Sequence, residues 1–99
     1  MLLFDLAPAD ELSLELGHRL RAQRLAQNLQ QSELAARAGV SERAVRNLER
    51  TGKATLESLL RIAMALGLTG SLSPLFEYKP SSIRAMEKAS ATRERASRR

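Results

Sequence analysis

Residues 31–50 read QSELAARAGVSERAVRNLER, two helical stretches broken at a single glycine, Gly39. Gln31 to Ala38 reads as one short helix, and Ser41 is a suitable N-cap for a second over Glu42 to Arg50. At 100° per residue, Ala44, Val45 and Leu48 fall on one side of the second helix, while Arg43, Arg46 and Arg50 centre on the other. Glu42 and Asn47 flank the arginines. Any solvated helix face is polar, so polarity alone does not choose a function. A face of this kind can nevertheless reach phosphates and base edges, with arginine matching guanine and asparagine matching adenine in a major groove.

The two helices are also built to meet at an angle. Ala35 is small where they must approach, Gly39 supplies a permissive backbone for the turn, and Val40 is placed to fill the corner. Val45 and Leu48 then pack back on Leu34 and Ala38.

Outward from this stretch the chain reads all-α, because alternating runs of β-branched residues are missing and Gly and Pro mark natural breaks. Asp10 can cap a first helix running to about Gln27, along which Leu12, Leu16 and Leu20 form an i, i+4 row; Gly17 weakens it and argues for a later start. Leu56 to Leu66 is a fourth helix with an apolar stripe of Leu56, Leu59, Leu60, Ala63 and Leu66, stopped at Gly67. A short fifth helix in SLSPLF closes the bundle through Leu72, Leu75 and Phe76. The expected organisation is an N-terminal arm over 1–9, a helical domain over 10–79, and a C-terminal extension with a basic tail over 80–99. In the extension, Ile83 and Met86 can form an amphipathic turn or two; residues 93–99 read as disordered.

The 99 residues carry a net charge of +5, unevenly placed: Asp5, Asp10, Glu11 and Glu15 stand in the first fifteen residues with no basic side chain. The basic remainder favours a polyanionic partner. No segment is long and apolar enough to span a bilayer, and MLLFDLAPADEL lacks the basic start of a signal peptide, so a cytoplasmic protein is expected. There is no cysteine, which excludes disulfides and thiolate chemistry. His18 is the only histidine, a poor basis for a metal site or a catalytic base, and reads as an exposed residue of the first helix. No nucleophile elbow or phosphate-binding glycine loop is present. No enzyme activity, metal or cofactor is expected.

The string from Leu20 to Leu68, LRAQRLAQNLQQSELAARAGVSERAVRNLERTGKATLESLLRIAMALGL, resembles the phage-repressor-like (Xre) helix-turn-helix family, with Arg24, Gln31, Leu34, Ala35, Gly39, Val40, Ser41, Val45, Glu49 and Leu59 in register. The resemblance implies a five-helix, repressor-like domain that binds double-stranded operator DNA as a homodimer, with the third helix in the major groove. It places Gln31 on a phosphate at the start of the second helix. Glu42, Arg43, Arg46 and Asn47 would lie on the reading face, with Ser41, Arg50 and Lys53 beside them. Glu42 either accepts from cytosine or serves the helix N-terminus. The segment RTGKATLES departs from many relatives, because Gly52 stands three residues after Glu49 rather than two.

Arg24 continues the Leu12, Leu16, Leu20 row by one step and therefore needs a partner. The family pattern supplies Glu49, a structural ion pair bracing the third helix on the first. Leu72, Leu75 and Phe76, with Ile83 and Met86, either form a two-fold interface or cap the monomer core. The arginine-rich tail would add sequence-independent affinity for DNA, aid solubility, or contact a protein. The expected function is a dimeric transcriptional repressor. The alternative is an antitoxin, because LERTGKATLESLL resembles the HipB-type branch, whose members repress their own operon and bind a kinase toxin.

Overall fold

The computed structural model describes residues 3–80, which form helices and no strand. A 3-10 turn, Phe4–Leu6, leads into α1 (Ala9–Ala26), α2 (Gln31–Ala38), α3 (Glu42–Thr51), α4 (Leu56–Ala65) and a single-turn α5 (Thr69–Leu72). The all-α, five-helix expectation is met. Ile83, Met86 and the 93–99 tail lie outside the described residues.

The α2–α3 corner forms as its residues require. Gly39 has φ +69°, and the Val40 N–H donates to the Ala35 carbonyl at 3.1 Å, closing α2 in a left-handed turn. Leu34, Ala35 and Ala38 of α2 are buried with Val45 and Leu48 of α3, and half-buried Val40 packs against them. α3 is the central element, packed on α1, α2 and α4.

The first helix differs from expectation in three ways. It begins at Ala9 with Pro8 as N-cap, while Asp10 lies inside the first turn, where its Oδ1 accepts the Glu11 N–H at 3.0 Å. Gly17 does not delay the helix. The buried face is Gly17, Leu20 and Arg24, and Leu16 is exposed. The cause is a close backbone crossing: a Cβ on Gly17 would overlap the Leu48 carbonyl oxygen and lie 3.4 Å from the Gly52 Cα. Gly52 caps α3 with φ +75°, and a Cβ there would overlap the Ser13 backbone. Two glycines therefore bring α1 onto the last turn of α3, nearer than any side chain permits.

The C-terminal stripe also shifts. Leu56 is exposed, whereas Ile62, Ala63 and Leu66 are buried. Only Leu72 of the three expected bundle-closing residues packs on the core. α5 ends at Leu72, leaving Leu75 exposed and Phe76 94% exposed at φ +57°. An aromatic residue rarely adopts that backbone region.

Candidate nucleic-acid interface

α3 is fixed at both ends. The Ser41 Oγ accepts the Ala44 N–H at 3.0 Å, and Gly52 turns the chain away after Thr51. Val45, Leu48 and Glu49 are buried, so Glu42, Arg43, Arg46, Asn47 and Arg50 are left together on the exposed side. Glu42 stands in the first turn, where a negative charge suits the helix dipole, with its Oε1 3.7 Å from Arg46 Nη2. Both side chains are half exposed, and such a pair contributes about 0–1 kcal/mol, so Arg46 leaves it at little cost. Among the described residues Arg43 and Arg50 form no ion pair.

Behind this face lies a buried polar seam. Arg24 Nε donates to Glu49 Oε2 at 2.7 Å and Nη2 donates to Oε1 at 2.9 Å, while Nη1 donates to the Leu29 carbonyl at 2.7 Å. Arg24 and Glu49 are 6% and 4% exposed, so the pair is bidentate and almost fully desolvated. The hydrogen bonds to Glu49 raise the Arg24 pKa above its ordinary value; burial opposes this, and the nearby charge of Glu49 adds to the rise. No buried side-chain nitrogen or oxygen among the described residues lacks a partner. A pair of this kind fixes geometry more than it adds stability, since desolvation offsets much of the attraction. It sets the rotation of α3 against α1, and with it the direction of the arginines.

Gln31 joins this seam. Its Nε2 donates to Glu49 Oε1 at 3.1 Å, so its side-chain amide links α2 to α3 and is already engaged. Ser41 is likewise occupied as the cap of α3, and it lines a separate depression with Val40, Ala44, Ser58 and Arg61. Lys53 is exposed beyond Gly52, its N–H donating to Thr51 Oγ1 at 3.2 Å.

The sequence pattern did not single out two residues of α1 that the fold brings to this face. His18 and Arg21 line an open notch with Gln31, Arg46, Glu49 and Arg50. The Leu12, Leu16, Leu20 row placed the packed face of α1 about 70° away from the Gly17, Leu20, Arg24 face actually used. Reading Gly17 as a helix-crossing point, rather than as a weak helix residue, would have found them.

Two helices joined at a left-handed glycine, with the second held by a capped start and presenting arginines outward, define a helix-turn-helix domain. A family model described as helix-turn-helix matches residues 20–72, more than half of the chain. The chain belongs to this Xre-like family of DNA-binding transcriptional regulators. No curated protein matches the chain. No helix among the described residues is long and apolar enough to cross a membrane.

Proposed function

We propose that this protein is a sequence-specific repressor that binds a two-fold related operator as a homodimer, each copy laying α3 in the major groove. The observation that carries the reading is the division of α3: Val45, Leu48 and Glu49 hold it to the body, and Arg43, Arg46, Asn47 and Arg50 share its exposed face. Ten helical residues span about 15 Å, comparable with the roughly 12 Å width of the groove. Arg43 and Arg46 are assigned to guanine edges and Asn47 to adenine, with Arg50 and Lys53 on flanking phosphates. Leu75 and Phe76, left exposed beyond α5, are assigned to the two-fold interface; Leu72 belongs to the monomer core. Affinity selection from random duplexes, followed by sequencing, tests the reading. Enrichment of an inverted repeat with half-sites one helical turn apart is expected, and recovery of unenriched sequence would refute it.

The same exposed Leu75, Phe76 and Tyr78 support a second reading, an antitoxin that docks a kinase toxin through this apolar segment while repressing its own operon. Co-expression with the product of a neighbouring toxin-like reading frame separates the two. A stable complex lost on Phe76→Asp supports the antitoxin.

A further inference from the structure

The carboxylates of the described residues are unevenly engaged. Glu15, Glu42, Glu49, Glu57 and Glu77 each pair with a basic side chain, and Glu33 accepts the Gln30 N–H. Asp5, Asp10 and Glu11 form no ion pair among the described residues, and all three are exposed in the N-terminal arm or the first turn of α1. Apolar side chains are interleaved with them. Leu3, Phe4 and Leu6 are exposed, Leu6 at 79%, and the Phe4–Leu6 turn buries no residue. The arm is nonetheless placed: the Arg19 guanidinium lies 4.9 Å over the Phe4 ring, and Arg19 Nε donates to Glu15 Oε2 at 2.8 Å. At 100° per residue Glu11, Glu15 and Arg19 form one row of α1, and Leu12 and Leu16 form the row beside it. The arm therefore lies against a side of α1 that carries exposed Leu16 next to Glu11. Exposed apolar side chains bordered by acids suit a partner that is basic and partly apolar.

We propose that this apolar and acidic face, Leu3, Phe4, Leu6 and Leu16 with Asp5, Asp10 and Glu11, is the docking surface for the chain's own C-terminal segment, residues 81–99. The segment has the complementary composition: six basic side chains against Glu87 and Glu94, with Ile83 and Met86 as its large apolar residues. The first fifteen residues hold four acids and no basic side chain. Length permits the contact. Fully extended, residues 81–99 span about 60 Å, more than the 49 Å longest dimension of the molecule. The covalent tether gives the segment an effective concentration on the order of millimolar at the arm, which favours it over a second copy at micromolar concentration. The docking does not depend on DNA binding. If the DNA-binding reading above also holds, the acids of the arm compete with phosphates for the same arginines and withhold them from DNA.

The chain has no cysteine, so Ser97→Cys provides a single attachment point for a nitroxide spin label on the full-length protein. The label should broaden the amide signals of residues 3–16 at low salt, and the effect should vanish in 1 M salt, where charges are screened beyond about 3 Å. It should also vanish in the triple variant Asp5→Asn, Asp10→Asn, Glu11→Gln. These side chains are exposed, and an unchanged circular dichroism spectrum verifies that the fold is kept. A mixture of spin-labelled chain and isotope-labelled, spin-free chain identifies the occupant: no broadening is expected there. Broadening in the mixture would overturn docking within one chain and assign the face to a second copy. Absence of broadening in the intact protein, or its persistence in the triple variant, would overturn the docking whether or not the protein binds DNA. Binding to a random duplex supplies the consequence for DNA. The triple variant should bind on the order of three- to tenfold more tightly than the unsubstituted chain, the size expected of a few exposed charge pairs. That gain should disappear when Arg93, Arg95, Arg98 and Arg99 are all replaced by Gln. A gain of equal size with and without these arginines would overturn their retention by the arm.

Discussion

Replacing Gly17 by alanine sets helix propensity against the crossing of α1 and α3, and the two effects have opposite signs. At an unobstructed position in a helix, Gly to Ala stabilises by about 0.8–1 kcal/mol. Here the new Cβ would overlap the Leu48 carbonyl oxygen, lie 3.2 Å from the Leu48 carbonyl carbon and 3.4 Å from the Gly52 Cα. These are backbone atoms, so no side-chain rotation relieves the overlap. A carbon–oxygen contact settles near 3.3–3.6 Å, which requires α1 to lift by on the order of 1 Å. That displacement strains the 2.7 and 2.9 Å bonds between Arg24 and Glu49, two turns along the same seam. Overpacking of this kind costs about 1–3 kcal/mol, and strain on the buried pair adds to it, so the net effect should be a loss of about 2 kcal/mol. For a chain of this size the melting temperature should fall by roughly 8–16 °C. Urea denaturation followed by far-UV circular dichroism measures the change. Gly70→Ala provides the internal comparison, because a Cβ there meets nothing within 4 Å and should leave stability unchanged or raise it by up to about 1 kcal/mol. A Gly17→Ala protein as stable as the unsubstituted chain would refute the close crossing and the placement of α3 that follows from it.

Glu49→Gln should destabilise by about 3–5 kcal/mol, because it leaves the Arg24 charge buried without its counter-ion, whereas Arg24→Met with Glu49→Leu should cost less than the sum of the single changes in a double-mutant cycle by denaturation. Ser41→Ala and Thr55→Ala each remove an N-cap oxygen, the first from α3 and the second from α4, and each should lower stability by about 1 kcal/mol in urea titration. Arg43→Ala and Arg46→Ala should each weaken binding to the preferred duplex by about 1–3 kcal/mol and relax base choice at one position, as read by repeating the selection with each variant; unchanged preference in both would remove them from the reading face. Phe76→Asp should shift the sedimentation coefficient towards the monomer at micromolar concentration while leaving the circular dichroism spectrum intact, since Phe76 is 94% exposed and contributes nothing to the monomer core.

The stretch from Gln31 to Arg50 was legible by itself, because its structure is local. A helix with one apolar face, a serine cap and a glycine that accepts a left-handed turn are all specified by neighbours within a few residues, and φ +69° at Gly39 and the Ser41–Ala44 hydrogen bond follow directly. The outward direction of Arg43, Arg46 and Arg50 followed from the same periodicity. Burial of Arg24 beside Glu49 was legible only through the resemblance to a family, since twenty-five residues separate them and spacing alone does not pair them. Tertiary structure decided the rest. The rotation of α1 was set by two glycines far apart in the chain meeting at one crossing, a contact that i, i+4 counting of leucines does not register, and this turned Leu16 outward. The same rotation brought His18 and Arg21 to the arginines of α3. Gln31 was drawn into the buried seam because Glu49 still had acceptor capacity, and Leu75 and Phe76 were left exposed because α5 stopped at Leu72. Local sequence thus determined which helix can read a groove, and only the packing of distant backbones determined which other side chains stand beside it.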